Sequence, residues 1–198
     1  MTSPVDICSN ALLMLGAKPI ASFDESAAPA NLDRARLCAN LYPMVKADVL
    51  RSHPWHCAIK RVQLSPDTTP PAFGYTYRFL QPADWLRTLG VGDRCQQNYA
   101  TEGKYYLADE AAFPLVYLAD VPETQFDSML VAVMTLSMAV RLAYPITASN
   151  TTEDARFREL QLLLKQARAV QGQEDPAQQL TGSPLLSSRF GSTWIGKR

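Results

Sequence analysis

Apolar positions near the start of the chain recur with the spacing of amphipathic helices. In residues 5–15 they recur every three or four positions: Val5, Cys8, Leu12 and Leu15. This spacing predicts a helix that Ser3 caps, Pro4 begins and Gly16 ends, since these residue types favour those positions. A second helix is predicted over residues 31–51. Pro43 lies inside it, so we expect a kink or a division into two shorter helices.

The pattern changes to that of strands at Val62. Phe73, Tyr75, Tyr77 and Phe79 alternate with Gly, Thr and Arg, which predicts a strand whose aromatic face contributes to the core. Residues 101–103, Thr-Glu-Gly, indicate a hairpin turn. Further short strands are predicted over residues 85–91, 97–101, 104–107 and 115–118. The middle of the chain is therefore predicted to be rich in β-structure.

Helical spacing returns at Asp120. Asp120 and Glu123 are expected to cap a helix that ends at Pro145. This helix is apolar around most of its circumference, which predicts a central position in the core. Its apolar run, residues 129–140, is shorter than the ~20 residues that a membrane span needs. A last helix is predicted over residues 151–170, with Gly172 and Pro176 ending it.

These elements together predict an α+β protein. The N- and C-terminal helices are expected to form a discontinuous helical bundle over residues 1–61 and 122–173. The β-rich region, residues 62–121, is inserted between them. An extended C-terminal docking tail follows over residues 174–198.

The tail combines glycine and serine with widely spaced large apolar side chains. It has too little periodic apolar surface to fold alone and too many anchors for an inert linker. All 19 acidic residues of the chain precede Ala177, so the tail is basic and the rest slightly acidic. We expect the tail to dock along a partner's groove and to fold on contact. The expected partner-binding residues are Leu185, Leu186, Arg189, Phe190, Trp194, Ile195, Lys197 and Arg198.

Composition places the 198-residue chain among globular proteins. Hydrophobic residues make up 47% and charged residues 19%, which excludes a disordered chain. The 19 basic and 19 acidic residues cancel, which argues against a protein that wraps duplex DNA. Asp6 stands where a secretory signal would carry basic residues. The scattered cysteines are therefore expected to be reduced thiols in a cytoplasmic setting: Cys8, Cys38, Cys57 and Cys95.

The densest group of chemically reactive side chains is His53-Pro54-Trp55-His56-Cys57. Zinc needs three or four ligands, and an adjacent His-Cys pair is awkward to share on one metal. A Cys57 nucleophile paired with His53 or His56 is the enzymatic alternative. A helix-ending turn with Trp55 and Cys57 buried is favoured, so no catalytic, cofactor-binding or metal-binding residue is predicted.

A moderately basic zone is interleaved with the aromatic residues of the middle region. It could face phosphates. The slightly acidic balance of the body favours solvated charges and contacts at the rim of neighbouring subunits instead. The zone comprises Arg51, Lys60, Arg61, Arg78, Arg87 and Arg94.

A set of short motifs follows one order along most of the chain. They are Ile7-Cys8-Ser9-Asn10-Ala11-Leu12, Pro19-Ile20-Ala21-Ser22-Phe23, Leu41-Tyr42-Pro43, Pro54-Trp55-His56-Cys57-Ala58, and Gly74-Tyr75-Thr76-Tyr77 before Pro82-Ala83-Asp84-Trp85. In this order, and with the predicted helix from Phe126 to Ala139, the motifs resemble the tail tubular protein A family, the head-to-tail adaptors of short-tailed bacteriophages. The resemblance extends from Ile7 to about residue 165. The family often has Asn-Phe-Ala after the tryptophan, and the tail of this chain has no matching motif.

The resemblance implies a structural virion protein that is not an enzyme and binds no cofactor. Such a protein forms a ring, expected to hold twelve copies, which joins the portal protein to the tail nozzle and fibres. Genomic DNA passes through its lumen without sequence-specific binding. The resemblance also implies synthesis in the host cytoplasm and residence in the phage tail or neck, away from membranes. Another neck or tail-completion protein, which contacts the tail side only, is the alternative, and a small Cys/His enzyme is a third.

Overall fold

Four helices and two small antiparallel sheets make up the described part of the chain. The computed structural model describes residues 2–24, 29–92 and 97–174. The class is α+β, as the sequence predicts. The tail predicted for residues 174–198 lies, except for Glu174, outside the described residues. The elements are α1 (Pro4–Met14), α2 (Pro29–Ser52), β1 (Ile59–Leu64), β2 (Tyr77–Leu80), β3 (Trp85–Val91), β4 (Ala100–Glu102), β5 (Tyr105–Ala108), β6 (Phe113–Ala119), α3 (Ser128–Thr147) and α4 (Asn150–Glu174).

The first helix confirms its sequence prediction, including both ends. The Asp6 backbone N–H donates to Ser3 Oγ over 3.1 Å, and the Ser3 backbone N–H donates to Asp6 Oδ2 over 3.0 Å. This reciprocal pair is a capping box, which satisfies two backbone donors at the start of α1. Gly16 follows the end of the helix with φ 75°. Glycine adopts this left-handed conformation without the strain that a Cβ would bring.

Two helices continue through prolines that were expected to interrupt or end them. α2 runs unbroken through Pro43, so its division into two helices is wrong, and α3 runs through Pro145 to Thr147. Both prolines lie on exposed faces. Water can therefore serve the carbonyl groups that the proline rings leave without a helical donor. α4 likewise continues through Gly172, so that predicted end is wrong, and Pro176 lies outside the described residues.

The start of α3 differs from the sequence prediction. Asp127, not Asp120, is the N-cap residue, and its Oδ1 accepts the Leu130 backbone N–H over 2.7 Å. The segment before it forms a 3₁₀ turn, Glu123–Gln125. The expected capping by Asp120 and Glu123 is therefore wrong. The physical reason is that both carboxylates bind Lys46 of α2 instead.

The six strands form two three-stranded sheets. One sheet has the order β1-β6-β3 and the other β2-β5-β4, with every pair antiparallel. The hairpin predicted near residues 101–103 joins β4 to β5 through Gly103, whose φ is 59°. β1 was not predicted from the sequence, because its apolar residues Ile59, Val62 and Leu64 do not strictly alternate with polar ones.

Stacked aromatic rings join the two sheets. The Phe113 ring of β6 lies 4.7 Å from Phe79 of β2 and 5.0 Å from Tyr106 of β5, measured between ring centroids. All three residues are buried. The strand expected from residue 73 begins only at Tyr77, and Phe73 is 88% exposed. The prediction that the whole aromatic row lies in the core is therefore wrong for Phe73, because the proline-rich stretch before it forms a loop.

α3 is the central helix of the fold. It contacts α1, α2 and α4, and buries an apolar surface that includes Leu130, Val133, Met134 and Met138. By length and composition alone α3 could cross a membrane, a property that the core helices of soluble proteins share. Its packing here is that of a core helix, as its apolar circumference predicts.

We predict that Asp127→Ala lowers the free energy of unfolding by about 0.5–2 kcal/mol, because the Leu130 N–H loses its capping acceptor. Asp127→Asn is the matched control and should cost less than about 0.5 kcal/mol, since asparagine caps as well as aspartate. Chemical denaturation of both variants measures the difference. Equal stability of the alanine variant and the wild type would contradict this assignment of the cap.

Candidate assembly surfaces

The residues expected to bind a partner through the tail lie outside the described part of the chain. These are Leu185, Leu186, Arg189, Phe190, Trp194, Ile195, Lys197 and Arg198. Their role stays a prediction. The candidate surfaces that can be built from contacts and distances therefore belong to the body, residues 2–174.

The segment from His53 to Cys57 links the end of α2 to the end of α4. The buried Trp55 indole N–H donates to the Val49 carbonyl over 2.9 Å, and Gln171 Nε2 of α4 donates to the Pro54 carbonyl over 3.0 Å. The His53 ring meets the Trp55 ring edge-on, at 4.9 Å between centroids. These contacts make the segment a structural corner, in which Trp55 is buried as the sequence predicts.

The same segment, residues 53–57, is poorly suited to bind a metal ion or to supply a nucleophile. Among the described residues no group of three or more His, Cys, Asp and Glu side chains could hold a metal ion. Burial raises the pKa of the Cys57 thiol, and the nearby Asp127 adds to this rise. A raised thiol pKa reduces the thiolate that a nucleophile needs. Cys57 is only half-buried, less than the sequence analysis expected.

Much of the predicted basic zone is engaged within the fold. Lys60 Nζ lies 2.6 Å from Asp84 Oδ2, and Arg78 Nη2 lies 2.8 Å from Asp67 Oδ2. Arg87 donates to the Arg51 carbonyl over 3.2 Å. Arg94 lies outside the described residues. Two of the six cations, Lys60 and Arg78, are therefore matched by carboxylates within the fold, while Arg51, Arg61 and Arg87 are exposed.

A partly buried ion cluster joins α2 to the connection between β6 and α3. Lys46 Nζ lies 2.9 Å from Asp120 Oδ1 and 3.1 Å from Glu123 Oε1, and the Tyr42 hydroxyl donates to Glu123 Oε1 over 2.9 Å. The side chains of Lys46 and Glu123 are only 15% and 14% exposed. Buried ionic groups need such partners to offset their lost hydration.

The cluster shifts the pKa values of its members. Burial by itself raises the pKa of Glu123, but hydrogen bonds from its own backbone, Lys46 and Tyr42 outweigh burial and lower it. Burial likewise lowers the pKa of Lys46, but Asp120 and Glu123 outweigh it and raise the value. Burial, and then the bond to Glu123, raises the pKa of the Tyr42 hydroxyl. Both ions of the Lys46–Glu123 pair are therefore stabilised in the folded state.

An open apolar cleft runs between α2 and α4. Both helices contact α3 but flank it without packing closely on each other, and the cleft between them has a volume of about 380 Å³. We call it the α2–α4 groove. Its apolar walls are formed by Val45, Val49, Val140, Phe157, Leu160 and Leu164, and its charged residues are Asp48, Arg141, Glu153 and Arg168.

A second exposed apolar feature is the loop between β1 and β2. We call residues 65–76 the Phe73 loop, after its most exposed large side chain. Its base is held by the ion pair between Asp67 and Arg78, and by the Thr76 backbone N–H, which donates to Asp109 Oδ1 over 3.1 Å. Neither the α2–α4 groove nor the Phe73 loop was predicted from the sequence. The exposure of the Phe73 loop could have been predicted from the position of Phe73 between Pro70-Pro71 and Gly74, because proline and glycine are typical of turns.

Comparison with known proteins adds no relative. No protein-family model matches the chain, and no curated protein matches its sequence. The adaptor resemblance therefore stands on the motifs of the sequence alone.

We predict that Glu123→Gln lowers the free energy of unfolding by about 1–3 kcal/mol at pH 7, because Lys46 and Tyr42 lose a charged, mostly buried partner. The pKa of Glu123 lies below its ordinary 4.5, so the stability it contributes is present above that pH and is lost as the pH falls below it. The difference between variant and wild type should therefore shrink as the pH falls from 4.5 through the lowered pKa of Glu123.

Denaturant titrations across this pH range measure the effect. Glu159→Gln is the control, since Glu159 forms an exposed ion pair with Arg156 and exposed pairs contribute less than about 1 kcal/mol. A difference for Glu123→Gln that is constant from pH 7 to about pH 3 would contradict the role assigned to its charge.

Proposed function

We propose that this protein is a structural head-to-tail adaptor of a short-tailed bacteriophage. Copies of the chain form a ring, expected to be dodecameric, between the portal protein and the tail nozzle. The ring continues the DNA channel and seats the tail fibres. In this role the chain changes no molecule chemically and acts by contacts with its own copies and with neighbouring rings in the virion.

The ordered motifs support this proposal through the positions they occupy. The motif from Ile7 to Leu12 lies in α1 and buries Ile7, Cys8, Ala11 and Leu12. Tyr42 of the second-helix motif belongs to the ion cluster, and Trp55 forms the buried corner between α2 and α4. Motif residues thus make contacts between elements that are distant in sequence, where a shared fold would require particular residue types.

The observation that carries the proposal is the exposed apolar surface of the body. The α2–α4 groove stays open, with Phe157 49% exposed at its wall, and Phe73 is 88% exposed. Clustered exposed apolar side chains indicate an interaction surface. The zero net charge suits copies that lie side by side and a lumen that lets DNA pass without holding it.

Electron microscopy of negatively stained protein tests the proposal. We expect rings when the purified chain is mixed with portal rings, and the two kinds of ring should join end to end. Cross-linking to portal or to nozzle separates the adaptor from a neck or tail-completion protein that contacts the tail side only. Isolated single copies of the chain that do not bind portal rings would refute the adaptor role.

We predict that the double variant Phe190→Ala and Trp194→Ala weakens binding of the full-length chain to portal rings by about tenfold or more. Large aromatic anchors contribute much of the free energy of an interface, and tenfold in affinity corresponds to about 1.4 kcal/mol. Ser187→Ala with Ser192→Ala is the matched control in the same segment and should bind as the wild type does. Co-sedimentation with portal rings measures both, and undiminished binding of the aromatic variant would remove this role from the tail.

A further inference from the structure

The geometry points to one contact between neighbouring copies: the Phe73 loop of one copy inserts Phe73 into the α2–α4 groove of the next. This inference rests on the proposed function, because it names the surfaces through which copies of the chain would form the ring. The contact involves residues 65–76 of one copy and the helices α2, α3 and α4 of the other.

The Phe73 loop is held at both ends by hydrogen bonds, and this restraint favours binding through Phe73. The Asp67 backbone N–H donates to the Arg78 carbonyl over 2.8 Å, in addition to the Asp67–Arg78 ion pair, so the start of the loop is fixed to β2. Thr76 is fixed to Asp109 at the other end. Between these anchors Pro70 and Pro71 restrict the backbone. A restrained loop loses little conformational entropy on binding, which favours Phe73 as an anchor.

The groove has the size and chemistry to receive an aromatic side chain. Its volume of about 380 Å³ falls within the range of about 300–1,000 Å³ found for ligand pockets. Val45 and Val49 of α2 form one wall, and Phe157 and Leu160 of α4 form the other. No residue of the Phe73 loop lines the groove of its own copy. The occupant we infer is the loop of a second copy.

Charges at the two surfaces support the same pairing. Two exposed carboxylates lie beside the Phe73 loop: Asp109 accepts from Thr76, and Glu102 lines a shallow pocket together with Phe73. Two arginines, Arg141 and Arg168, line the groove and are exposed. The groove also holds Asp48, which pairs with Arg141 at 3.8 Å, and Glu153. Because Arg141 has this carboxylate beside it, Arg168 is the cation that we assign to the acidic loop. Complementary charge at a rim fixes orientation more than it adds affinity.

The two surfaces lie on different elements, and this has a consequence for symmetry. A contact in which each copy inserts its loop into the next copy, and receives the loop of a third copy in its own groove, is heterologous. Heterologous contacts continue from copy to copy and form a closed ring when the rotation closes. The inferred contact is therefore of the kind that the proposed ring requires.

Substitution of Phe73 in the full-length chain tests the contact. Phe73→Ser should weaken self-association by about tenfold or more, since an exposed side chain leaves the fold of each copy intact while the interface loses its anchor. Leu80→Ser is the matched control, because Leu80 is also a large exposed apolar residue, at 55%, and lies outside both surfaces. The measurement is light scattering coupled to size-exclusion chromatography, with circular dichroism to confirm the fold.

A mixing experiment identifies the groove as the receiving surface. Phe73→Cys protein and Phe157→Cys protein are mixed and oxidised with diamide, which takes up the two thiol protons and two electrons as the disulfide forms. We expect cross-linked pairs from the mixture and none above the wild-type background from either variant alone. The inferred contact would be overturned if the mixture gave no cross-link, or if the Phe73→Ser protein still formed rings. Neither result would contradict the adaptor function. A wild-type chain that stays monomeric with and without portal rings would overturn both.

Discussion

The burial of α3 is the interaction on which the rest of the structure depends. Three other helices contact it, although α1 and α4 are separated by more than a hundred residues of sequence. Burial of apolar surface contributes about 25 cal/mol per Å², and most of the buried surface of α3 is apolar. The Lys46 cluster then sets how α3 begins, because it fixes the turn between β6 and α3 to α2. The β1-β6-β3 sheet contacts α2 through β3 and β6, and the second sheet joins the first through the stacked rings of Phe79, Phe113 and Tyr106.

The same arrangement explains why a groove exists. A single central helix can be flanked by α2 and α4 without bringing those two helices together, and the space between them stays open. The corner at Trp55 holds the ends of α2 and α4 near each other, through the bonds to Val49 and from Gln171. The groove is thus a fixed feature of the helical packing, since its walls are held by buried contacts at one end and by α3 at its floor. A preformed groove binds with little reorganisation.

Helical spacing was enough to predict all four helices, because the geometry of a helix places positions three and four apart on one face. Alternation and turn residues in the middle of the chain added the β part of the α+β class. The incorrect predictions concern features that are determined by contacts between elements distant in the sequence. Pro43 is tolerated because its face is exposed, and Asp120 and Glu123 bind Lys46 instead of capping α3. The exposure of Phe73 could not be read from its alternation with Tyr75 and Tyr77, since alternation does not reveal where pairing with β5 begins. The groove depends on three helices at once, so periodicity within one helix could not predict it.

Electrostatics explains why apolar contacts must carry the proposed assembly. A chain with 19 basic and 19 acidic residues has little long-range field to bring copies together or to select a partner. Ion pairs such as Lys46–Glu123 and Arg78–Asp67 form within one copy of the chain. Specificity between copies then has to come from short-range fit, in which one exposed aromatic ring and one open groove are worth more than many rim charges. A ring held in this way would depend only weakly on salt, because ions screen contacts between exposed charges and not apolar contacts.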